Sequence, residues 1–169
     1  MKIGFIGCVE SSKVALETLL SVDGDVEVVG VITKEISNFN SDHVDLASIC
    51  EENNIPYYYE ITSNNDDSFN FMRALKPDVI YCFGWSYLLN NNFLDLPPKG
   101  VIGFHPADLP NNRGRHPIIW AVALGLSSTA STFFKIGEGA DTGPILNQVQ
   151  IDIANTDDAN TLYKKILSK

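Results

Sequence analysis

A histidine at the end of a short apolar run is the first residue whose position suggests chemistry. His105 follows the run Val-Ile-Gly-Phe at residues 101–104, and Pro106 after it favours an extended backbone. The carboxyl ends of parallel strands form the edge at which α/β sheets bind ligands. An imidazole at that edge is a candidate general acid or base, because it exchanges a proton near neutral pH. The alternative is a structural histidine at a strand end.

A carboxylate in the sequence Gly-Ala-Asp-Thr-Gly, residues 139–143, is the second candidate. Asp141 stands in a turn between two predicted strands, where an aspartate either caps the turn or accepts a proton. No serine or cysteine lies in a nucleophile-elbow sequence, and no group of side chains has metal-site spacing. We therefore expect acid–base chemistry without a covalent intermediate and without a metal. Of the other histidines, we expect His43 to be exposed and His116 to be structural or peripheral.

Length and charge limit what this chemistry could act on. The chain has 169 residues, which fits a single domain over residues 1–169, and a formal net charge of -9. Such an acidic chain disfavours broad binding to nucleic acid or anionic membranes. Residues 99–126 are the exception, with three basic side chains and one acidic one. This local excess is typical of a site for a small anion, although so few charges could also fall this way by chance.

The hydropathy pattern and the cysteines indicate the compartment. No run approaches the roughly 20 apolar residues that span a bilayer, and the first residues do not form a signal peptide. The three cysteines are far apart and lack zinc spacing. Cys8 and Cys82 lie in or beside apolar runs, so we expect buried thiols and a reducing, cytoplasmic location.

Short apolar runs alternate with helical patterns along the chain. Strands are predicted at residues 1–8, 26–33, 57–59, 78–83 and 101–104, with helices between the first four and an antiparallel pair at 131–135 and 145–151. The helix between the second and third strands is predicted at residues 43–52. Further helices are predicted at residues 114–124 and 157–167, and Trp120 is expected in the core. This order predicts an α/β fold: an open, mostly parallel, Rossmann-like twisted sheet with helices on both faces and an antiparallel C-terminal portion.

Three segments are expected to converge at the carboxyl edge of this sheet, namely residues 7–12, 84–89 and 105–115. The first has a single glycine and neither a dinucleotide-binding nor a P-loop pattern, so a nucleotide cofactor is not predicted. The helix that begins there could still bind an anion through its free backbone amides.

Two stretches of the second half carry a series of motifs in a fixed order. They are HPADLPNNRGRHPIIWAVALGL at residues 105–126 and STFFKIGEGADTGPIL at residues 131–146. Their order resembles the catalytic core of the 10-formyltetrahydrofolate-dependent formyltransferase family, whose pattern is Asn-x-His-Pro, Leu-Pro, Arg-Gly, a Pro-x-x-Trp helix and an Asp-Thr-Gly loop. A weaker resemblance, in MKIGFIGCVESSKVALETLL, covers the first strand and helix.

The resemblance implies transfer of a formyl group from 10-formyltetrahydrofolate to a primary amine, with His105 and Asp141 as the catalytic residues. The asparagine that the family is thought to use for the oxyanion corresponds to Gly103 here. Losing one such donor commonly costs about a hundredfold or more in rate. We therefore expect a substitute, and a Gly103→Asn variant would then change activity by less than about tenfold. The candidate donors are Asn111, Asn112, Ser86 and a backbone amide.

The resemblance also implies where the two substrates bind. The pterin is expected at Phe83, Gly84, Trp85, Tyr87, Leu88, Leu89, Gly139 and Ala140, with core packing of Trp85 and Leu88 as the alternative. The anionic part of the amine substrate is expected at Cys8, Ser11, Ser12, Lys13, Arg113 and Arg115.

A nucleotide-linked amino sugar is the favoured acceptor, because its pyrophosphate suits the basic residues of the second half. Transfer RNA is disfavoured, since the chain is acidic and ends at Lys169 without the oligonucleotide-binding domain of that branch. The alternatives are hydrolysis of the formyl donor, transfer to methionyl-tRNA or another small amine, and a degenerate folate-binding protein. We expect neither a nucleic-acid nor a membrane partner, and a homodimer if the chain assembles.

Overall fold

The computed structural model describes residues 1–61 and 66–169. In chain order its elements are β1 (Lys2–Ile6), α1 (Glu10–Ser21), β2 (Glu27–Thr33), α2 (Ala47–Glu52), β3 (Tyr57–Tyr59), α3 (Asp66–Leu75), β4 (Val79–Cys82), α4 (Asn91–Asp95), β5 (Val101–His105), α5 (Pro117–Ala123), β6 (Ser128–Lys135), β7 (Ile145–Asp152) and α6 (Ala159–Leu167). The strands lie in the order β3-β2-β1-β4-β5-β6-β7. The pairs β1·β2, β1·β4 and β2·β3 are parallel, and β6·β7 is antiparallel. The predicted class, a mostly parallel α/β sheet with an antiparallel C-terminal portion, is confirmed.

The chain divides into two compact units, Met1–Ile102 and Gly103–Lys169, and the division falls inside β5. The first unit buries apolar side chains from its strands and helices, among them Phe5, Leu16 and Ile80. The core of the second unit is formed by Ala121, Ile151, Leu162 and Ile166. Each unit thus has its own apolar core, and a single domain over residues 1–169 stays a prediction.

Most predicted elements are present, and the ends of several helices differ. The helix predicted at residues 114–124 begins only at Pro117, because Gly114 and His116 have φ values of 96° and 58° that a right-handed helix excludes. The helix predicted at 43–52 is confined to Ala47–Glu52. The short helix Asn91–Asp95 was not predicted, although Asn90 caps it by accepting the Phe93 N–H. Part of the predicted polar run, residues 62–65, lies outside the described residues.

The loops that follow β1 and β4 lie against each other in the first unit. The Ser12 hydroxyl donates to the Phe83 carbonyl at 2.6 Å and accepts the Val9 N–H at 3.2 Å. Gly84 has a φ of 65°, and a Cβ at this position would collide with Val9 and Ser12. Only glycine allows this close approach. The expected convergence of residues 7–12 with 84–89 is therefore confirmed, and residues 105–115 belong to the second unit.

Cys8, Cys82 and Trp120 were all expected to be buried. Cys8 and Cys82 are buried, as expected, and burial raises the pKa of Cys8 to about 11 and that of Cys82 further. Trp120 was expected in the core, and this was wrong: 56% of it is exposed, because α5 turns Ala121 inward instead.

The surroundings of His43 differ from those expected. The expectation that His43 is exposed was wrong, since its ring is half-buried and contacts the carbonyl oxygens of Cys8 and Glu35 at 2.8 and 3.2 Å.

Within residues 1–61 and 66–169, every helix is too short or too polar to cross a membrane.

We expect Ser12→Ala to lower the free energy of unfolding by about 1–3 kcal/mol, because a buried carbonyl and a buried N–H both lose their partner. Ser48→Ala is the matched control, since Ser48 is exposed on α2 and its loss should change stability by less than about 0.5 kcal/mol. Denaturant unfolding measures both values. Equal stability of the two variants would show that the Ser12 hydroxyl does not hold the two loops together.

Candidate active site

His105 is the last residue of β5, and its side chain is only 9% exposed. Its Nε2 atom lies 3.1 Å from the carbonyl oxygen of Asn112. Its Nδ1 atom lies 3.7 Å from Oδ2 of Asp141. The structure thus brings together the two residues that the sequence analysis selected, although 36 positions separate them in the chain.

Asp141 lies in the loop between β6 and β7, with its backbone in the left-handed region at a φ of 53°. Aspartate tolerates this conformation better than most residues. Its Oδ2 atom accepts the Gly114 N–H at 3.0 Å, and its backbone carbonyl accepts Nε–H of Arg113 at 3.0 Å. These two contacts hold the Asp141 loop, while 22% of the carboxylate side chain stays exposed.

The distance between the side chains of His105 and Asp141 determines which interactions they can form. At 3.7 Å, Nδ1 of His105 and Oδ2 of Asp141 are too far apart for a direct hydrogen bond. They are close enough for an ion pair when the imidazole is protonated. A reacting N–H group near both atoms would have two proton acceptors within reach. The arrangement can accept a proton, hold it and release it.

Side chains from the antiparallel pair hold the loop after β5. Thr132 donates its hydroxyl hydrogen to the Ala107 carbonyl at 2.7 Å. The Gln148 amide donates to the Leu109 carbonyl at 3.0 Å and to the Thr132 hydroxyl at 2.9 Å. These bonds anchor the loop that carries residues 112–114 to the same strands that carry the Asp141 loop. The strands β6 and β7 therefore hold both the loop that contacts His105 and the loop that carries Asp141.

Two neighbouring side chains occupy the space that a side chain at Gly103 would need. A Cβ at Gly103 would lie 2.8 Å from Cγ1 of Ile136 and 2.9 Å from the ring of Phe134. Phe134 is buried, so its ring has little room to move. A Gly103→Asn substitution would therefore disturb this packing, and it is not the simple restoration of a hydrogen-bond donor that the sequence analysis assumed.

The three candidate substitutes for that donor differ in their surroundings. The Ser86 hydroxyl donates its hydrogen to Oδ1 of Asn40 at 3.0 Å, so that hydrogen is already engaged. Asn111 and Asn112 both have exposed side chains. Asn112 is also the residue whose carbonyl contacts the His105 ring. Its side-chain amide is therefore the candidate attached to the site itself.

The residues expected to bind the pterin include both buried and exposed side chains in the first unit. Phe83 is buried, and its ring packs at 5.8 Å from the ring of Phe5 and 5.3 Å from that of Tyr81. Its side chain belongs to the core, so it would act through its backbone. Tyr87 and Leu88 are exposed, and Trp85 and Leu89 are half-buried. In the second unit, Gly139 and Ala140 are exposed.

Lys34 is a residue of this region that sequence reasoning missed. It is buried, and its Nζ donates to the carbonyl oxygens of Glu60 and Ile61 at 3.1 and 3.4 Å. The ammonium also lies 5.4 Å from the ring centroid of Trp85 and 5.0 Å from that of Tyr87, within cation–π range. A lysine directly after a buried strand was the available signal. Lys34 holds the two aromatic rings in place.

The residues expected to bind the anionic part of the acceptor include both buried and exposed side chains. Cys8 and Ser12 are fully buried and Ser11 nearly so, whereas Lys13 is half-buried. Arg113 and Arg115 are exposed in the second unit. Nε of Arg113 is engaged by the Asp141 backbone, which gives this side chain a structural contact beyond any it makes to substrate.

Residues 1–61 and 66–169 contain no group of three or more histidine, cysteine or carboxylate side chains placed to hold a metal ion. Burial raises the pKa of the Cys50 thiol to about 12, and that of Cys8 is also raised. At neutral pH these thiols are therefore protonated and poorly nucleophilic.

We expect Gly103→Ala to lower the free energy of unfolding by about 1–3 kcal/mol, because the new methyl group overpacks the contact with Phe134 and Ile136. Gly137→Ala is the control, since a Cβ there meets no atom within 4 Å. Denaturant unfolding of both variants measures the difference. A Gly103→Ala variant as stable as Gly137→Ala would contradict the packing described here.

Comparison with known proteins supports the family suggested by the motifs. A family model described as formyl transferase matches residues 1–169. The methionyl-tRNA formyltransferase of Kosmotoga olearia is 33% identical over 170 residues, which cover 98% of this chain and 54% of that protein. The bifunctional polymyxin resistance protein ArnA of Wigglesworthia glossinidia brevipalpis is 31% identical over 143 residues, or 83% of this chain and 22% of that protein.

The fold has a counterpart among solved structures. The phosphoribosylglycinamide formyltransferase from Bacillus halodurans matches with a TM-score of 0.83 at 20% identity, over 99% of this chain and 88% of that one. The chain spans about half the length of the methionyl-tRNA formyltransferases that it matches. Because the family model covers the chain from end to end, the chain belongs to the formyl transferase family.

Proposed function

We propose that this chain transfers a formyl group from 10-formyltetrahydrofolate to a primary amine, and that the amine belongs to a nucleotide-linked sugar. The observation that carries the proposal is the approach of His105 Nδ1 to Asp141 Oδ2 at 3.7 Å, beside the end of β5. Membership of the formyl transferase family supports the reaction type. The net negative charge of the chain supports a small acceptor in preference to a nucleic acid.

The first requirement of this reaction is a neutral amine, because an ammonium ion has no lone pair with which to attack. Asp141 is the group to accept the proton, since its carboxylate is ordered and partly exposed. The nitrogen then attacks the formyl carbon, and the carbonyl oxygen becomes an oxyanion. Asp141 passes the ammonium proton on to solvent and is a carboxylate again. His105 is neutral at first; once it has taken a proton from the attacking nitrogen, the imidazolium, paired with Asp141, would stabilise this negative charge.

The second requirement is a proton for the departing folate nitrogen. The new carbon–nitrogen bond is complete once the old one breaks, and the folate nitrogen must gain a proton as it leaves. His105 is placed to take a proton from the attacking nitrogen and return it to the leaving one. Exclusion of water matters here, since water would compete with the amine for the formyl group.

The segment at residues 83–89 is our proposed pterin site in the first unit. Lys34 fixes the rings of Trp85 and Tyr87, and Leu88 extends beyond them with 67% of its surface exposed. An ordered aromatic and apolar surface of this kind suits a flat heterocycle. Gly139 and Ala140, in the loop before Asp141 of the second unit, are exposed and stay proposed as pterin-binding residues.

The acceptor is proposed from charge. Residues 1–98 hold 5 basic and 15 acidic side chains, which would repel an extended phosphate backbone. Arg113 and Arg115 lie exposed beside the catalytic pair and suit a compact pyrophosphate. Methionyl-tRNA, which the names of several relatives specify, is the competing acceptor and must be tested directly.

We propose the Asn112 side chain as the substitute oxyanion donor. Its exposed amide stands on the residue that contacts His105, whereas the Ser86 hydroxyl already donates to Asn40. One such donor accounts for about a hundredfold or more in rate when it is well placed.

The substrate is tested by incubating the full chain with 10-formyltetrahydrofolate and a panel of nucleotide-linked amino sugars while tetrahydrofolate is measured. We expect tetrahydrofolate to form in step with an N-formyl sugar for at least one member, and not without an amine. Free formate in the absence of any amine would instead identify a hydrolase. Formylation of methionyl-tRNA in preference to every sugar would overturn the acceptor that we propose.

We expect His105→Ala and Asp141→Asn to lower the transfer rate by about a hundredfold or more, since each removes a proton-handling group. Asparagine tolerates the left-handed backbone of Asp141, so this variant tests the charge and not the fold. His116→Asn is the control, because His116 is exposed and also has a positive φ. Rates close to wild type in either catalytic variant would refute the assignment.

A further inference from the structure

The two ring nitrogens of His105 face different kinds of acceptor. Nε2 lies 3.1 Å from the Asn112 carbonyl oxygen, which can only accept a hydrogen bond. Nδ1 faces the Asp141 carboxylate across 3.7 Å. A neutral imidazole carries one hydrogen, so it can satisfy only one of these two acceptors. The shorter contact decides which nitrogen keeps it.

A hydrogen on Nδ1 alone would leave the Nε2 lone pair pointing at the lone pairs of the Asn112 carbonyl. This juxtaposition is repulsive in an environment where the ring is only 9% exposed. A hydrogen on Nε2 gives one hydrogen bond at 3.1 Å, and the Nδ1 lone pair then faces Oδ2 of Asp141 only at 3.7 Å, where a hydrogen on Nδ1 would be too far for a direct hydrogen bond. The surroundings therefore favour the second tautomer.

We propose that the Asn112 carbonyl fixes His105 in the Nε2–H tautomer, so that Nδ1 is the nitrogen that gains and loses the reacting proton. Asn112 is thus a positioning residue in addition to any donor role of its side chain. Its carbonyl contacts the ring from a residue whose φ is 54°, in the left-handed region. Asparagine is among the few residues that adopt this conformation readily.

Residues 112–114 act together in this arrangement. The Asn112 carbonyl holds one nitrogen of His105, Nε of Arg113 holds the Asp141 backbone, and the Gly114 N–H holds the Asp141 carboxylate. Three consecutive residues therefore set the distance between Nδ1 and Oδ2. Asp141 and Arg113 both take part in these contacts and both carry charge.

The proton balance follows from this assignment, which rests on the proposed function only for its use in catalysis. After the amine attacks, one N–H bond of the attacking nitrogen breaks and Nδ1 gains that proton. The ring is then an imidazolium with Asp141 beside it. Nδ1 returns the proton to the folate nitrogen as the carbon–nitrogen bond breaks, and the ring ends in its starting tautomer.

The test is nitrogen-15 NMR of the full chain with labelled histidine and no substrate, at a pH where titration shows the ring to be neutral. We expect the His105 signals to show a one-bond hydrogen coupling at Nε2 and a lone-pair shift at Nδ1, with the Nε2–H form at least tenfold in excess. His43→Gln and His116→Asn assign the signals. An Nδ1–H form, or rapid averaging between the two forms, would overturn the tautomer.

Two variants of Asn112 test the positioning role. Glycine and valine both remove the side-chain amide, but glycine accepts a positive φ and valine resists it. We expect Asn112→Gly to keep the Nε2–H form and Asn112→Val to lower its share; equal shares in both would overturn the role of Asn112. Because this readout uses no substrate, failure of every acceptor in the panel would contradict the proposed function without altering the tautomer result.

Discussion

The distance between His105 and Asp141 depends on a short piece of backbone that touches both. Residues 112–114 bind the imidazole at Nε2 and the Asp141 loop at two points, through a carbonyl, a guanidinium N–H and a backbone N–H. Since two of these three contacts come from backbone groups, they depend mainly on conformation. The positive φ values of Asn112, Gly114 and Asp141 are the conformational cost of this geometry. The hydrogen bonds from Thr132 and Gln148 to the same loop help to stabilise it.

The absence of a side chain at Gly103 is connected to the packing around it. Phe134 and Ile136 reach into the space that a side chain at this position would need. An asparagine at position 103 would therefore disturb this packing, so one substitution there does not simply add a hydrogen-bond donor. In the first unit, Lys34 is buried and lies against the rings of Trp85 and Tyr87.

Much of the fold could be predicted from the sequence, and the reasons for the exceptions are physical. The apolar runs at β1, β2 and β4 predicted a parallel sheet because strands buried on both faces are continuously apolar. The start of α5 was predicted too early, since a positive φ at His116 is set by its loop and leaves no trace in hydrophobic spacing. Trp120 was misplaced because a pattern shows which residues share a helix face, and not how wide the buried part of that face is.

The candidate site was predictable to a different extent. His105 and Asp141 could be selected because their residue types and the motifs around them are specific. The role of the Asn112 carbonyl could not, because a backbone group has the same chemistry in every residue and only its direction matters. Lys34 escaped notice because its partners, two carbonyl oxygens and two rings, come together only in three dimensions.

The central claim is that the imidazole and the carboxylate act as one unit. It is tested most directly by the single-turnover rate of formyl transfer in His105→Ala, in Asp141→Asn and in the double variant. Groups that act together lose their effect together, so the double variant is predicted to be about as slow as the slower single variant. Losses that multiply in the double variant would show that the two residues act independently, and would contradict the account.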